Sequence, residues 1–215
     1  MEEFEKFIKK LSAEIKLKLP GFLAQRLMAP LGRKPVTDYI NEKAPPKKSA
    51  VLILIYPDKK NFSPKIVLIL RPEESRTHSN QISFPGGGLD ERDKDLSETA
   101  LRETEEEIGV DRKLISIIGE LTPLYIPVSN YVVYPYVGFC NTALIFTVHP
   151  IEVKDIIEIG ISELIATKNK TTAKRHIKIR NVEMEVPCYD HNGKIIWGAT
   201  AMIISELAEI IRRIK

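Results

Sequence analysis

With 215 residues, 43% of them hydrophobic and 28% charged, the chain has the composition of a soluble globular protein and the length for one domain, with or without a helical extension. Its net charge of +3 is spread over interleaved Lys, Arg, Glu and Asp, which argues against a nucleic-acid partner and leaves room for a local phosphate pocket. No run approaches the roughly 18 apolar residues of a membrane span, and MEEFEKFIKK is too charged for a secretory signal, so no membrane partner and a cytoplasmic location are the defaults.

Between Glu2 and Leu19, Phe4, Phe7, Ile8, Leu11 and Ile15 recur at helical spacing and predict an amphipathic helix that packs on the domain or on a dimer mate. A short second helix is expected over Phe22 to Met28, and the proline-containing stretch Pro35 to Lys48 reads as a linker. Residues 1–47 are thus expected to form a helical extension with its linker, and 48–215 the main domain. Strand-like runs follow at Ala50 to Tyr56 and Lys65 to Arg71, then the glycine-rich Phe84 to Gly88, then a helix from about Asp95 to Gly109. Further strands are expected at Leu114 to Leu121, Tyr131 to Phe139, Val153 to Ile159, His176 to Ile179 and Met184 to Tyr189. A last helix spans Ala199 to Ile214 and buries Ile203, Leu207, Ile210 and Ile211. Strands and helices without strict alternation indicate an α+β fold. Cys140 and Cys188 lack metal-type spacing and read as two buried thiols, with a disulfide as the alternative.

The helix ending at Gly109 carries the chemistry. At about 100° per residue, Glu103, Glu106 and Glu107 fall within roughly 100° of arc, while Leu101, Thr104 and Ile108 form a separate packable face with Ala100 at its edge. The glutamates occupy the last two turns, where the helix dipole favours cations rather than carboxylates. Arg102 reaches Glu106 at i+4, yet one guanidinium cannot neutralise three carboxylates, and clustered oxygens are what Mg²⁺ or Mn²⁺ require. A solvated acidic face is the alternative reading. Three glycines just upstream permit close backbone approach to a phosphate or metal.

Joined together, FPGGGLDERDKDLSETALRETEEEIGV resembles the Nudix box, a Gly-rich loop followed by a helix with an Arg-Glu-apolar-x-Glu-Glu-x-Gly-apolar signature. Counted from Gly87, Asp93 stands where the box has Glu, with one extra residue before Arg102; counted from Gly88 the spacing to Arg102 is right and Lys94 takes the Glu position, so the first acidic position is open, and Thr104 replaces an apolar residue. Asp90 and Asp93 after FPGG resemble the coenzyme A pyrophosphatase branch. The upstream LILRPEESRTHSNQISFPGG is similar to that branch's substrate signature, with Arg71, Arg76, His78 and Gln81 at matching positions and Asn80 in place of a glycine. Segments from Leu121, Glu152 and Ile196 resemble the same branch in the same order.

The resemblance implies a Nudix-type α/β/α sandwich with a mixed sheet. It also implies metal-dependent hydrolysis of a phosphoanhydride in a small nucleotide, foremost coenzyme A or an acyl derivative, to a phosphopantetheine product and adenosine 3′,5′-bisphosphate. Glu103, Glu106 and Glu107 would hold Mg²⁺ or Mn²⁺, and Glu152 is the residue to test as proton acceptor. Arg71, Arg76, His78, Gln81, Gly86 and Gly87 would bind substrate. Other readings stay open: surface ion pairs for the arginines, structural hydrogen bonds for His78 and Gln81, and an exposed loop carboxylate for Glu152. ADP-ribose, a dinucleotide or a noncanonical nucleoside triphosphate are alternative substrates, a nucleotide-sensing module without turnover is the alternative class, and a homodimer is an open assembly.

Overall fold

The structure is a computed structural model that describes residues 1–39, 45–73, 80–166, 169–177 and 182–215. In chain order, helices α1 (Glu2–Ile15) and α2 (Phe22–Gln25) precede strands β1 (Lys47–Pro57), β2 (Pro64–Leu70), β3 (Ile82–Ser83) and β4 (Gly86–Gly88). Helix α3 (Leu96–Ile108), strands β5 (Ser116–Glu120), β6 (Leu124–Ile126), β7 (Tyr131–Phe139) and β8 (Asp155–Gly160), and helix α4 (Ile161–Leu164) follow. A hairpin sheet of β9 (Lys170–Ile177), β10 (Val182–His191) and β11 (Lys194–Trp197) then leads into the last helix, α5 (Gly198–Ile214).

β1 and β2 are buried along nearly their whole inner length, as strands covered on both faces must be. They centre a mixed sheet of order β3-β2-β1-β7-β5, with β4 on β1, β6 on β7 and β8 on β2. β1 pairs in parallel with β7 and antiparallel with β2 and β4. Alternation along each strand sorts the side chains into two layers. Ile53, Ile55, Ile66 and Leu68 join one core with α1 and α5, while Leu52, Leu54, Tyr56, Val67 and Ile69 join the other with Ala100 and Ile108 of α3. The result is the expected α/β/α sandwich.

The apolar residues Phe4, Ile8, Leu11 and Ile15 of α1 are buried in the same core as α5, so the first helix completes the main domain's packing. A buried polar knot fixes the next segment. The Glu206 carboxyl on α5 accepts from Gln25 Nε2 at 2.8 Å, Gly21 N at 3.1 Å and Thr122 Oγ1 at 2.6 Å, and Ser205 Oγ donates to Ala24 O at 2.8 Å. Each buried polar group thereby recovers the partners it loses on leaving water.

Several element boundaries differ from the sequence expectation. α1 ends at Ile15, four residues early, because the chain tightens from Leu17 N to Glu14 O ahead of Pro20, whose ring disfavours helix at Leu19. The strand expected from Leu114 begins at Ser116, after a 3₁₀ turn over Arg112–Leu114 whose preceding Asp111 accepts from Lys113 N. The strand expected from Val153 begins at Asp155. Of the stretch 35–48, Val36–Tyr39 forms a 3₁₀ turn and β1 starts at Lys47; residues 40–44 lie outside the described residues, as do 178–179 of an expected strand. Cys140 and Cys188 are both free and buried.

Candidate active site

β4 lies antiparallel to Ser49–Val51 of β1, which sets the glycine backbone against α3. Gly86 admits nothing larger, and at Gly87 a side chain would displace the Glu103 carboxylate. A Cβ on Gly86, whose φ is 150°, would stand 2.3 Å from Ala50 O, and one on Gly87 would stand 2.3 Å from the Glu103 carboxyl carbon. α3 is fixed at both ends: Asp95 caps it by accepting from Glu98 N at 3.0 Å, and Gly109 closes it in the left-handed conformation at φ 70°. Thr104 is tolerated on the buried face because its hydroxyl donates back to Ala100 O at 2.7 Å.

The three glutamates share a face but not an environment. Glu106 is exposed, Glu103 is half-buried and Glu107 is buried, with 1% of its surface accessible. Gly86 N donates to Glu107 Oε2 at 2.9 Å, and Arg71 Nη2 stands 3.3 Å from Glu107 Oε1. Arg71 also donates to Gly86 O at 3.0 Å and to Ser83 Oγ at 3.3 Å; Ser83 had no mark in the sequence that singled it out. Burial pushes the Glu107 carboxyl up to about 7 against the pull of Arg71 and the Gly86 amide, and the charges of Glu103 and Glu152 add to the rise. Glu103 is also raised, first by burial, with Arg102 opposing.

Arg102 ties the cluster to the loop before the helix. Its Nε and Nη2 grip Asp93 at 2.8 and 3.0 Å, while Nη1 donates to Glu103 at 2.8 Å and Glu106 at 3.0 Å. Arg102 holds the Asp93 carboxyl well below the usual carboxylate range. The position left in doubt by the sequence spacing is therefore filled: Asp93 is the acid that anchors Arg102. A solvated acidic face describes Glu106, and not Glu107, which is turned inward, or the half-buried Glu103.

Glu152 lies on a loop that backbone bonds dock onto the end of α3. The carbonyls of Glu107 and Ile108, at the open end of α3, accept from His149 N at 2.9 Å and Thr147 N at 3.0 Å. Glu152 N bonds back to His149 O at 3.2 Å within this docked loop, and its charge makes a small contribution to the rise of Glu103 and Glu107. His149 Nδ1 lies 4.0 Å from Glu152 Oε1. Gly109 permits this docking, because a Cβ there would meet Thr147 O at 2.8 Å.

The structure thus brings Arg71, Gly86 and Glu107 into contact, sets Gly87 against Glu103, joins Glu103 to Glu106 through Arg102, and leaves Glu152 on the docked loop. Gln81 O accepts from Arg71 N at 3.0 Å, while Arg76 and His78 lie outside the described residues. Asn80 has φ 53°, the left-handed region that glycine favours and Asn tolerates better than most residues.

Carboxylate oxygens are the donors a hard divalent cation takes, and a buried carboxyl held near neutral pH is one that such a cation would ionise fully. Among the described residues no three acidic side chains converge into a ready cage: Arg102 stands between Glu103 and Glu106, and Glu107 turns to Gly86 N and Arg71. The donor chemistry fits, and loading the site means turning carboxylates away from these guanidinium groups.

The family model of the NUDIX domain matches residues 46–176. An uncharacterised Nudix hydrolase, NudL, of Photorhabdus laumondii is 32% identical over 189 residues, covering 82% of this chain and 98% of the relative. Its counterpart in Yersinia pestis is 34% identical, covering 68% of this chain and 72% of the relative. A MutT/nudix family protein from Enterococcus faecalis superposes with a TM-score of 0.54 at 18% identity, covering 95% of this chain and 73% of that one, a likeness of fold. No helix among the described residues is long and apolar enough to cross a membrane.

Proposed function

The chain belongs to the Nudix hydrolase family, and from that premise we propose that it splits the pyrophosphate linkage of coenzyme A or an acyl derivative at the site built on Glu103, Glu106, Glu107 and Glu152. It is a pyrophosphohydrolase, and hydrolases of this kind generally act with a divalent cation. The observation that carries the site assignment is the inward-turned Glu107, a buried carboxyl bonded to the glycine loop through Gly86 N and raised to about 7. Structure alone gives no reason to collect so much acid at the carbonyl end of a helix.

In this reading Glu103, Glu106 and Glu107 hold Mg²⁺ or Mn²⁺, which when bound supplies charge neutralisation for the phosphoryl oxygens and a more acidic water. Glu152 accepts the proton of the attacking water from its half-exposed place on the loop docked at the end of α3. Arg71 orients Glu107 through the Gly86 carbonyl and the Ser83 hydroxyl, and its guanidinium is available to a substrate phosphate at the same place. Gly86 and Gly87 keep that floor thin enough for a pyrophosphate to approach. Arg76, His78 and Gln81 complete substrate recognition. Residues 48–215 act as the hydrolase domain, and residues 1–47 as an extension that stabilises it.

Support for coenzyme A comes from the segment Arg71 to Gln81. Asn80 departs from the signature in residue type but adopts a conformation that glycine would supply, so the departure leaves the backbone path open. A panel of coenzyme A, ADP-ribose, dinucleotides and nucleoside triphosphates with Mg²⁺ or Mn²⁺ tests the reading. Coenzyme A is expected to give the highest kcat/KM, with adenosine 3′,5′-bisphosphate as product. A higher value for ADP-ribose or a triphosphate would reject the substrate and keep the hydrolase. Near-normal turnover of Glu106→Gln and Glu107→Gln at saturating metal would reject the site.

A further inference from the structure

The apolar stripe of α1 is buried, but the segment that follows turns other leucines outward. Leu17, Leu23, Leu27 and Leu31 are 63, 68, 59 and 80% exposed. Leu23 and Leu27 stand one turn apart on the helical stretch 22–28, on the side away from Ala24, Gln25 and Met28, which are buried. The same stretch carries one sign of charge. No acidic residue lies between Glu14 and Asp38, whereas Lys16, Lys18, Arg26, Arg33 and Lys34 supply five positive charges. Arg33 turns inward to the Tyr125 carbonyl; Lys16, Lys18, Arg26 and Lys34 are exposed.

We propose that this segment, Lys16 to Leu31, docks the protein on an anionic phospholipid surface, the leucines entering the headgroup boundary and Lys16, Lys18 and Arg26 meeting lipid phosphates. Exposed leucines interleaved with Lys and Arg are the composition that binds in the plane of a charged bilayer, where apolar burial and attraction to anionic headgroups act together. A second copy of the chain fits the face less well. A two-fold interface would set the positive patch against itself, and four leucines offer on the order of 400 Å², about half of the ~800 Å² per partner in a stable interface. The proposal departs from the expectation of no membrane partner, which rests on the stripe of α1 and the lack of a spanning run. It concerns a different set of side chains and does not depend on the substrate assigned above.

The test is sedimentation of the full chain with vesicles of phosphatidylcholine alone, or mixed equally with phosphatidylglycerol. Binding is expected to the mixed vesicles and not to the neutral ones, falling at least tenfold from 0.1 to 1 M salt as the charges are screened, about 10 to 3 Å in Debye length. The triple variant Leu23→Asn, Leu27→Asn, Leu31→Asn is expected to lose binding tenfold or more with unchanged turnover of the panel substrate. Lys16→Glu, Lys18→Glu, Arg26→Glu, which leaves the leucines in place, should lose it too, and Ile145→Asn, an exposed apolar position elsewhere, should keep it. No binding to the mixed vesicles, or retention by the charge-reversed variant, overturns the proposal. So does a solution dimer that the leucine variant converts to monomer, which would assign the face to a second copy.

Discussion

Replacing Glu107 with Gln should make the metal-free protein more stable and nearly inactive. Glu107 is held at about 7 where an ordinary glutamate ionises near 4.5, so keeping it charged in the folded chain above pH 7 costs on the order of 3 kcal/mol. Gln keeps the shape and can still accept from Gly86 N, while Arg71 retains the Gly86 carbonyl and Ser83 hydroxyl. Allowing for relaxation, a gain of about 1 to 3 kcal/mol is expected at pH 8. The sign follows from proton counting. With the folded value raised, the native state holds a proton that the unfolded state has released between pH 4.5 and about 7, so the wild type loses stability as pH rises through that window. The variant lacks this loss, and the gap between the two should close toward pH 4. Urea unfolding in EDTA at several pH values measures it, alongside a turnover assay in which kcat falls at least 100-fold. A variant less stable than wild type at pH 8, or a gap that ignores pH, would refute the burial argument.

Gly87→Ala places a Cβ 2.3 Å from the Glu103 carboxyl carbon and should lower kcat at least tenfold with a small change in Tm, read by parallel kinetics and thermal unfolding. Asp93→Asn removes the charge that grips Arg102 through two nitrogens and should lower stability by about 2 kcal/mol and weaken apparent metal affinity, since Arg102 is then held mainly by Glu103, Glu106 and the Gly88 carbonyl; titration of Mn²⁺ activation checks it. Deleting residues 1–34 strips α1 from its core and should drop Tm by more than 10 °C or cause aggregation, with dye binding as the readout of exposed apolar surface.

The amphipathic period of α1 and the apolar runs of β1 and β2 were legible because burial writes itself into residue spacing. The candidate site stood out for a different reason: glycines and glutamates at fixed offsets leave few structural explanations. The depth of Glu107 was not. Spacing puts it on one face with Glu103 and Glu106, and only the approach of Gly86 and Arg71 from distant strands turns that edge inward. Short strands such as Ile82–Ser83 and Leu124–Ile126 escaped because two or three residues carry no period, and their pairing is decided by neighbours far away in sequence.

The knot at Glu206 also sets a schedule for the chain's synthesis. Gly21 and Gln25 emerge early, yet the carboxyl that anchors them lies 185 and 181 residues later. At about 5 to 20 residues per second, roughly 10 to 40 s pass on the ribosome before that partner exists. Throughout this interval Phe4, Ile8, Leu11 and Ile15 have no α5 to cover them, so the nascent chain must carry its opening helix as exposed, chaperone-accessible surface until the final helix is made.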